Sequence, residues 1–144
     1  MPGYKPGAHH MVVYASAQAA LQAAATAFSS NPQDKTTLGN LLDQNVIICR
    51  LRDGKKKYKG KAKVLQYLTN GPVAPTGQIP GIAGSTFNPT TYTPLGDSKV
   101  TGTAAWTDID GSTDNPTLNY DFDFDPDNNF VITKFFAVGP SSTD

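Results

Sequence analysis

The sequence predicts an α+β fold, with helices on one face of a curved, mostly antiparallel sheet. Three observations carry this. Helical periodicity is confined to the first half of the chain. The stretch Leu38 to Leu68 reads as a short helix, a buried strand, a tight turn, a basic strand and a second short helix. From Ser85 onward threonines and aromatics dominate, which suits strands. Helices first and strands afterwards is the segregation of an α+β domain.

Residues 1–10 hold two prolines and two glycines and read as a loose arm. A helix is expected from Met11, because Tyr14, Leu21, Ala25 and Phe28 recur on one helical face. Asn31-Pro32 ends it. Asp34 is placed to cap a second short helix carrying Leu38, Leu41 and Leu42. Asn45 to Arg52 reads as a strand, with Ile47, Cys49 and Leu51 on one side and Val46, Ile48, Arg50 and Arg52 on the other. Asp53-Gly54 is a hairpin turn signal. A third helix starts near Gly60 and carries Val64, Leu65 and Leu68. The glycine- and proline-rich run 71–84 can be neither helix nor central strand, and loops of this length serve as lids or are disordered.

Thr86 to Leu95 is expected as one weak edge strand, because Pro89 and Pro94 cannot donate to a ladder. Lys99 to Thr107 is a second strand, and Asp108 to Gly111 a turn. Leu118, Tyr120, Phe122 and Phe124 alternate with Asn119, Asp121 and Asp123, the clearest period-two signal in the chain. Pro126 to Asn129 turns back into a last strand, Phe130 to Val138. Residues 11–139 form a single domain in this scheme, with 140–144 as a tail.

Composition excludes more than it selects. A chain of 144 residues suits one compact core. The formal net charge is zero, which argues against a nucleic-acid partner. Eight of the twelve basic residues gather between Arg50 and Lys63, and seven of the twelve aspartates between Asp108 and Asp127. Such segregated blocks suit solvated or self-complementary surfaces. Cys49 is the only cysteine, so neither an intrachain disulfide nor a cysteine-based metal site can form. A lone cysteine and the absence of an apolar run long enough to span a bilayer lead to the expectation of a cytoplasmic protein without membrane contact. Ala25-Thr26-Ala27 resembles a small-residue cleavage site, but Gln18 and Gln22 interrupt the apolar region before it, so a secretory leader is not the expectation.

Leu41-Leu42-Asp43 before the first strand, Tyr58-Lys59-Gly60 after it, Val64, Tyr67 and Leu68 in the next helix, and the final strand pair with its turn Asp125 to Asn129 together resemble the nuclear transport factor 2-like superfamily. That superfamily includes ketosteroid isomerases and SnoaL-like polyketide cyclases. The resemblance covers roughly residues 11–138. It implies a sheet curled into a cone around the N-terminal helices, a pocket at the cone mouth, and a homodimer through the convex sheet face. In the isomerases a carboxylate near the end of the first strand removes a proton beside a carbonyl. Here that position falls near Cys49, and Ile47, Ile48 and Cys49 supply no carboxylate. The tyrosine expected late in the first helix is replaced by Ala23-Ala24-Ala25-Thr26.

Candidate site residues follow. A pocket for a flat apolar ligand would draw on Tyr14, Phe28, Cys49, Trp106, Tyr120, Phe122 and Phe135, against the plainer reading that most of these are core. A buried Cys49 in apolar surroundings packs rather than reacts. The face of 118–124 is open: if Tyr120 and Phe122 point outward, Asp121 and Asp123 turn inward and join Tyr14 as candidate catalytic groups. His9 and His10 are a weak metal signal with no third ligand nearby in sequence. Starting at Asp123, an EF-hand calcium loop would place Asn128 and Lys134 where it needs glycine and an acid. No metal or cofactor is expected. Three functions remain in view: binding of a small hydrophobic ligand, an isomerase- or cyclase-type reaction on a cyclic carbonyl compound, and a protein-binding module.

Overall fold

The computed structural model describes residues 12–49, 57–111 and 117–138. Ser16 starts the first helix, α1 (Ala17–Ser29). Its extended backbone breaks the helical pattern, and its hydroxyl accepts the Ala19 amide at 3.1 Å. The expected start at Met11 is therefore too early, and Tyr14 precedes the helix. The second helix, α2 (Lys35–Asn40), is capped by Asp34, which takes the Thr37 hydroxyl at 2.7 Å and the Thr37 amide at 3.0 Å. Those two bonds, the hydroxyl first, hold the Asp34 carboxyl below its usual range. Leu42 does not belong to α2 but opens the first strand, β1 (Leu42–Cys49). A short strand β2 (Lys57–Lys59) leads through Gly60, at φ 89°, into α3 (Lys61–Thr69). The Asp53-Gly54 turn and Arg50 to Arg52 lie outside the described residues.

The expected strand Thr86 to Leu95 is two strands, β3 (Thr86–Pro89) and β4 (Thr93–Leu95), both paired with β5 (Lys99–Thr107). Then come β6 (Thr117–Asp125), a single 3₁₀ turn Pro126–Asn128, and β7 (Val131–Val138). The seven strands form one sheet in the order β2-β1-β7-β6-β5-β3, with β4 alongside β5. All pairings are antiparallel except β1 with β7. Because β1, β5 and β7 run the same way and β6 and β3 run the opposite way, the C-terminal ends of the first three meet the N-terminal ends of the other two. That end of the sheet holds the site.

The β6 alternation resolves one way. Leu118, Tyr120, Phe122 and Phe124 are buried against the helices, and Asp121 and Asp123 lie on the outer face. At the opposite end of the sheet Asn129, at φ 51°, adopts the left-handed conformation that asparagine tolerates. Its side chain accepts the Tyr14 amide at 2.9 Å and donates to the Val12 carbonyl at 2.7 Å.

The run 71–84 forms no helix or named strand, and backbone hydrogen bonds hold it in place. It folds back over the end of α3, whose last carbonyls have no helical donors. Ile82 donates to the Tyr67 carbonyl at 2.9 Å, Ala83 to that of Asn70 at 3.0 Å, and Gly81 to that of Gly71 at 2.9 Å. Gln33 closes the same corner, its side-chain amide donating to the Phe28 and Leu68 carbonyls at 3.1 and 3.0 Å.

Between β3 and β4 the chain steps across β5. Thr90 and Thr91 both donate to the Thr103 carbonyl, and Thr103 donates to the Thr91 hydroxyl at 2.8 Å. The crossing brings backbone against Gly102, where a Cβ would fall 2.1 Å from the Thr91 carbonyl oxygen and 2.6 Å from the Tyr120 hydroxyl. Gly102→Ala is therefore expected to lower the unfolding free energy by about 1–3 kcal/mol or more, the usual cost of overpacking. Gly71→Ala, with nothing within 4 Å of the added carbon, should stay within about 0.5 kcal/mol of the parent. Urea unfolding of the two variants checks the contrast, and equal stabilities would refute it.

Candidate functional site

An apolar cavity of about 230 Å³ lies between the helices and the inner face of the sheet. Helix α1 supplies Leu21, Ala24, Ala25 and Phe28, a single helical stripe. Leu38, Leu41 and Leu42 close the base, and Tyr67 and Leu68 of α3 close one side. The sheet contributes Ile48, Leu118, Phe122, Ile132 and Phe135. These groups are buried, whereas Cys49, Ile82, Trp106, Asp108, Phe136 and Ala137 are only half-buried. The half-buried residues stand at or just beyond the C-terminal ends of β1, β5 and β7 and on the 71–84 loop, so they form the rim.

Two features create the space. Ala24 and Ala25 present only methyl groups where larger side chains on the same stripe would fill it. Opposite them, a chain of aromatic rings holds the wall rigid. Phe122 stacks on Phe135 at 4.9 Å and 2°, tilts against Phe87 at 6.1 Å, and meets Tyr120 edge-on at 5.7 Å. Phe87 in turn meets the Trp106 ring at 6.3 Å, and Phe28 stacks on that indole at 6.1 Å. Such offset and edge-to-face pairs add to the burial of their area.

The residues expected at a pocket divide. Phe28, Cys49, Trp106, Phe122 and Phe135 line the cavity; Tyr14 and Tyr120 do not. Tyr14 is tethered to the β6–β7 turn at the far end of the sheet. Burial, and then the Asp34 carboxylate, raise its pKa. Tyr120 is fully buried at 1 % exposure beside the cavity, between Phe87 and Phe122, and its hydroxyl donates to the Thr91 carbonyl. Asp121 and Asp123 face away from the cavity and hold the Lys99 ammonium at 3.1 and 2.8 Å. Those bonds, Asp123 first, raise the Lys99 pKa, and at this exposure the pairs add little stability. His9 and His10 lie outside the described residues.

Among the described residues Asp108 is the one carboxylate on the cavity wall. Sequence reasoning treated it as a turn residue, and its carbonyl does accept the Gly111 amide at 2.8 Å. Its side chain, however, accepts the Trp106 indole N–H at 2.5 Å. The signal was the Trp-x-Asp spacing, since residues two apart at a strand end share a face. Ile48 and Ile82 were also missed: the first is inward where Ile47 is not, and the second belongs to a loop with no periodicity.

No group of three His, Cys, Asp or Glu among the described residues is placed to hold a metal, and no helix among them is long and apolar enough to cross a membrane.

Neither a protein-family model nor a curated protein matches the chain. Its architecture does match solved structures. A ketosteroid-isomerase-like protein from Kribbella flavida superposes with a TM-score of 0.60 at 9% identity, over 89% of this chain and 80% of that one. A SnoaL-like protein from Agrobacterium tumefaciens gives 0.58 at 10% identity, over 85% and 95%. A Mycobacterium tuberculosis protein, solved in complex with estradiol-17β-hemisuccinate, gives 0.58 at 15% identity, over 84% and 91%. The chain thus has the fold of the nuclear transport factor 2-like, SnoaL-like and ketosteroid-isomerase-like proteins, an open α+β cone. At these identities the likeness defines the fold and not the reaction.

Tyr120 gives the site region a pH signature. Burial, and then the neighbouring Tyr92, push its pKa from 10.0 up to about 12. A phenol that stays protonated in the folded state binds more protons there than in the unfolded chain between these two values. Stability should therefore fall as pH rises from 10 towards 12. Tyr120→Phe should flatten that decline while losing about 1 kcal/mol at neutral pH with its hydrogen bond. Thermal melts across pH 8–12 measure both, and an unchanged alkaline slope in the variant would exclude Tyr120 as the cause.

Proposed function

We propose that this protein binds a small, flat hydrophobic molecule in the cavity between α1 and the sheet. The observation that carries this is a space of about 230 Å³, lined by apolar side chains with aromatic rings along the sheet wall and one carboxylate among the described residues at its rim. An apolar cavity of roughly 150 Å³ takes up benzene, so this one suits one or two fused rings. The wall is apolar with few polar groups, the usual character of a small-molecule site. The complex of the M. tuberculosis fold relative with a steroid ester supports a flat apolar ligand class. Proton transfer on such a ligand would not run through Asp121 or Asp123, which lie on the other face of the sheet.

Homodimerisation through the outer sheet face belongs to the same proposal. Lys99 between Asp121 and Asp123 gives that face alternating charge, which suits register between two copies. Sedimentation at low and high salt should show a dimer that weakens as salt screens these charges. A monomer under both conditions would remove this part of the proposal.

The cavity itself is tested by titrating naphthalene into the ¹⁵N-labelled protein. Shifts are expected at Ala24, Ala25, Cys49 and the Trp106 indole. Ala25→Leu places three more carbons in the space and should weaken binding at least about tenfold, while stability changes by less than about 1.5 kcal/mol. Undiminished binding in a folded Ala25→Leu variant would move the ligand elsewhere.

A further inference from the structure

We infer that two copies of this chain pack their outer sheet faces about a two-fold axis running along the strands, so that β2 of each copy lies over β6 of the other. This deepens the homodimer proposal and rests on it. The pairing register orders charge across the face. In one row Lys59, Ile47, Lys134 and Asp123 stand side by side on β2, β1, β7 and β6. In the next row on the same face the order is Lys57, Cys49, Phe136 and Asp121. Ile48, Phe135 and Phe122 hold the alternate positions and are buried inside, so these rows belong to the outer face. Cys49 and Phe136 also reach the cavity rim, because they stand near the strand ends.

Both rows begin in lysine and end in aspartate, with Ile47, Cys49 and Phe136 half-buried between. Lys57 and Lys59 come from the basic block of the sequence, Asp121 and Asp123 from the acidic one. No salt bridge among the described residues occupies Lys57, Lys59 or Lys134. Lys99 lies between the two aspartates and leaves them one negative charge in excess. A two-fold axis between facing sheets can run along or across the strands. Across them, it sets β2 over β2 and β6 over β6, lysine on lysine and aspartate on aspartate, which is repulsive. Along them, it reverses strand order and keeps each row opposite itself. Lys59 then meets Asp123, and Lys57 meets Asp121, each twice by symmetry. The axis passes between β1 and β7, so Ile47, Cys49 and Phe136 lose water at the centre. Sheet twist turns the two sets of strands by roughly 30°, which keeps the rows facing.

Two variants, sedimented separately and together, test the arrangement. Lys57→Glu with Lys59→Glu makes both flanks of the face acidic. Asp121→Lys with Asp123→Lys makes both basic. Each variant alone should dimerise about tenfold more weakly than wild type at low salt, since exposed pairs are individually weak and the symmetry doubles them. Mixed in equal amounts, the two should form a heterodimer near wild-type affinity, because every acidic flank then meets a basic one. Homodimers of wild-type strength would overturn the strand-parallel axis and leave dimerisation intact. Two weakened homodimers that form no heterodimer would overturn it as well. A monomeric wild-type protein would overturn both the axis and the dimer. Should the aspartate variant fail to fold once Lys99 loses its partners, the lysine variant decides alone, since its substitutions lie exposed on an edge strand.

Discussion

The packing of Phe122 against Phe135 holds the site together. The two rings lie parallel at 4.9 Å, on neighbouring strands in direct register. Phe122 also touches Phe87, Tyr120 and Phe124. One side chain thus connects β3, β6 and β7, the strands that must keep their curvature for a space to exist beneath them. Buried aromatic area is the main stabilising term available to this sheet. The same rings that close the core on one side form the cavity wall on the other, so the stability of the sheet and the shape of the site have a common source.

The cavity persists because its two walls are made differently. The sheet side is large and interlocked; the α1 side is reduced to alanine at Ala24 and Ala25. A helix that is half alanine packs closely at Ala17, Ala20 and Ala27 and leaves room where the sheet curves away. The reduction to alanine costs little in helix propensity, so the chain keeps a firm α1 and an open interior together. At the rim, the polar contribution is concentrated in the Trp106–Asp108 pair. The outer face follows another logic, with threonines, Lys99 and aspartates in solvent.

Legibility followed locality. The β6 alternation and the Asp34 cap depend on residues within a few positions of one another, and each appeared where its pattern placed it, whereas β1 begins at Leu42, three residues before the expected Asn45. Errors arose where a distant partner decided. The start of α1 is the exception: Ser16 sets it locally, its hydroxyl accepting the Ala19 amide three residues on. Thr103 split the Thr86 to Leu95 segment in two by accepting both Thr90 and Thr91. The 71–84 loop found order in the open carbonyls of α3, a need that its own composition does not display. In the site, Phe28, Cys49, Trp106, Phe122 and Phe135 were legible as apolar candidates, while which of them face inward was decided by packing. Tyr14 and Tyr120 were equally apolar by composition, and only their tethers, to Asn129 and to the Thr91 carbonyl, put them outside the cavity.

The sequence by itself determined the α+β class, the order of its elements and the two-faced character of β6, because periodicity and turn chemistry act through neighbours in the chain. The tertiary structure alone decided which face of β6 is inward, and so moved Asp121 and Asp123 to solvent and left Asp108 as the carboxylate on the cavity wall. That choice depends on the register of β6 between β5 and β7, whose paired residues lie 12 to 24 positions away in β5 and 6 to 19 in β7. A period-two pattern fixes that two faces differ; only a packed neighbour fixes which of them is inside.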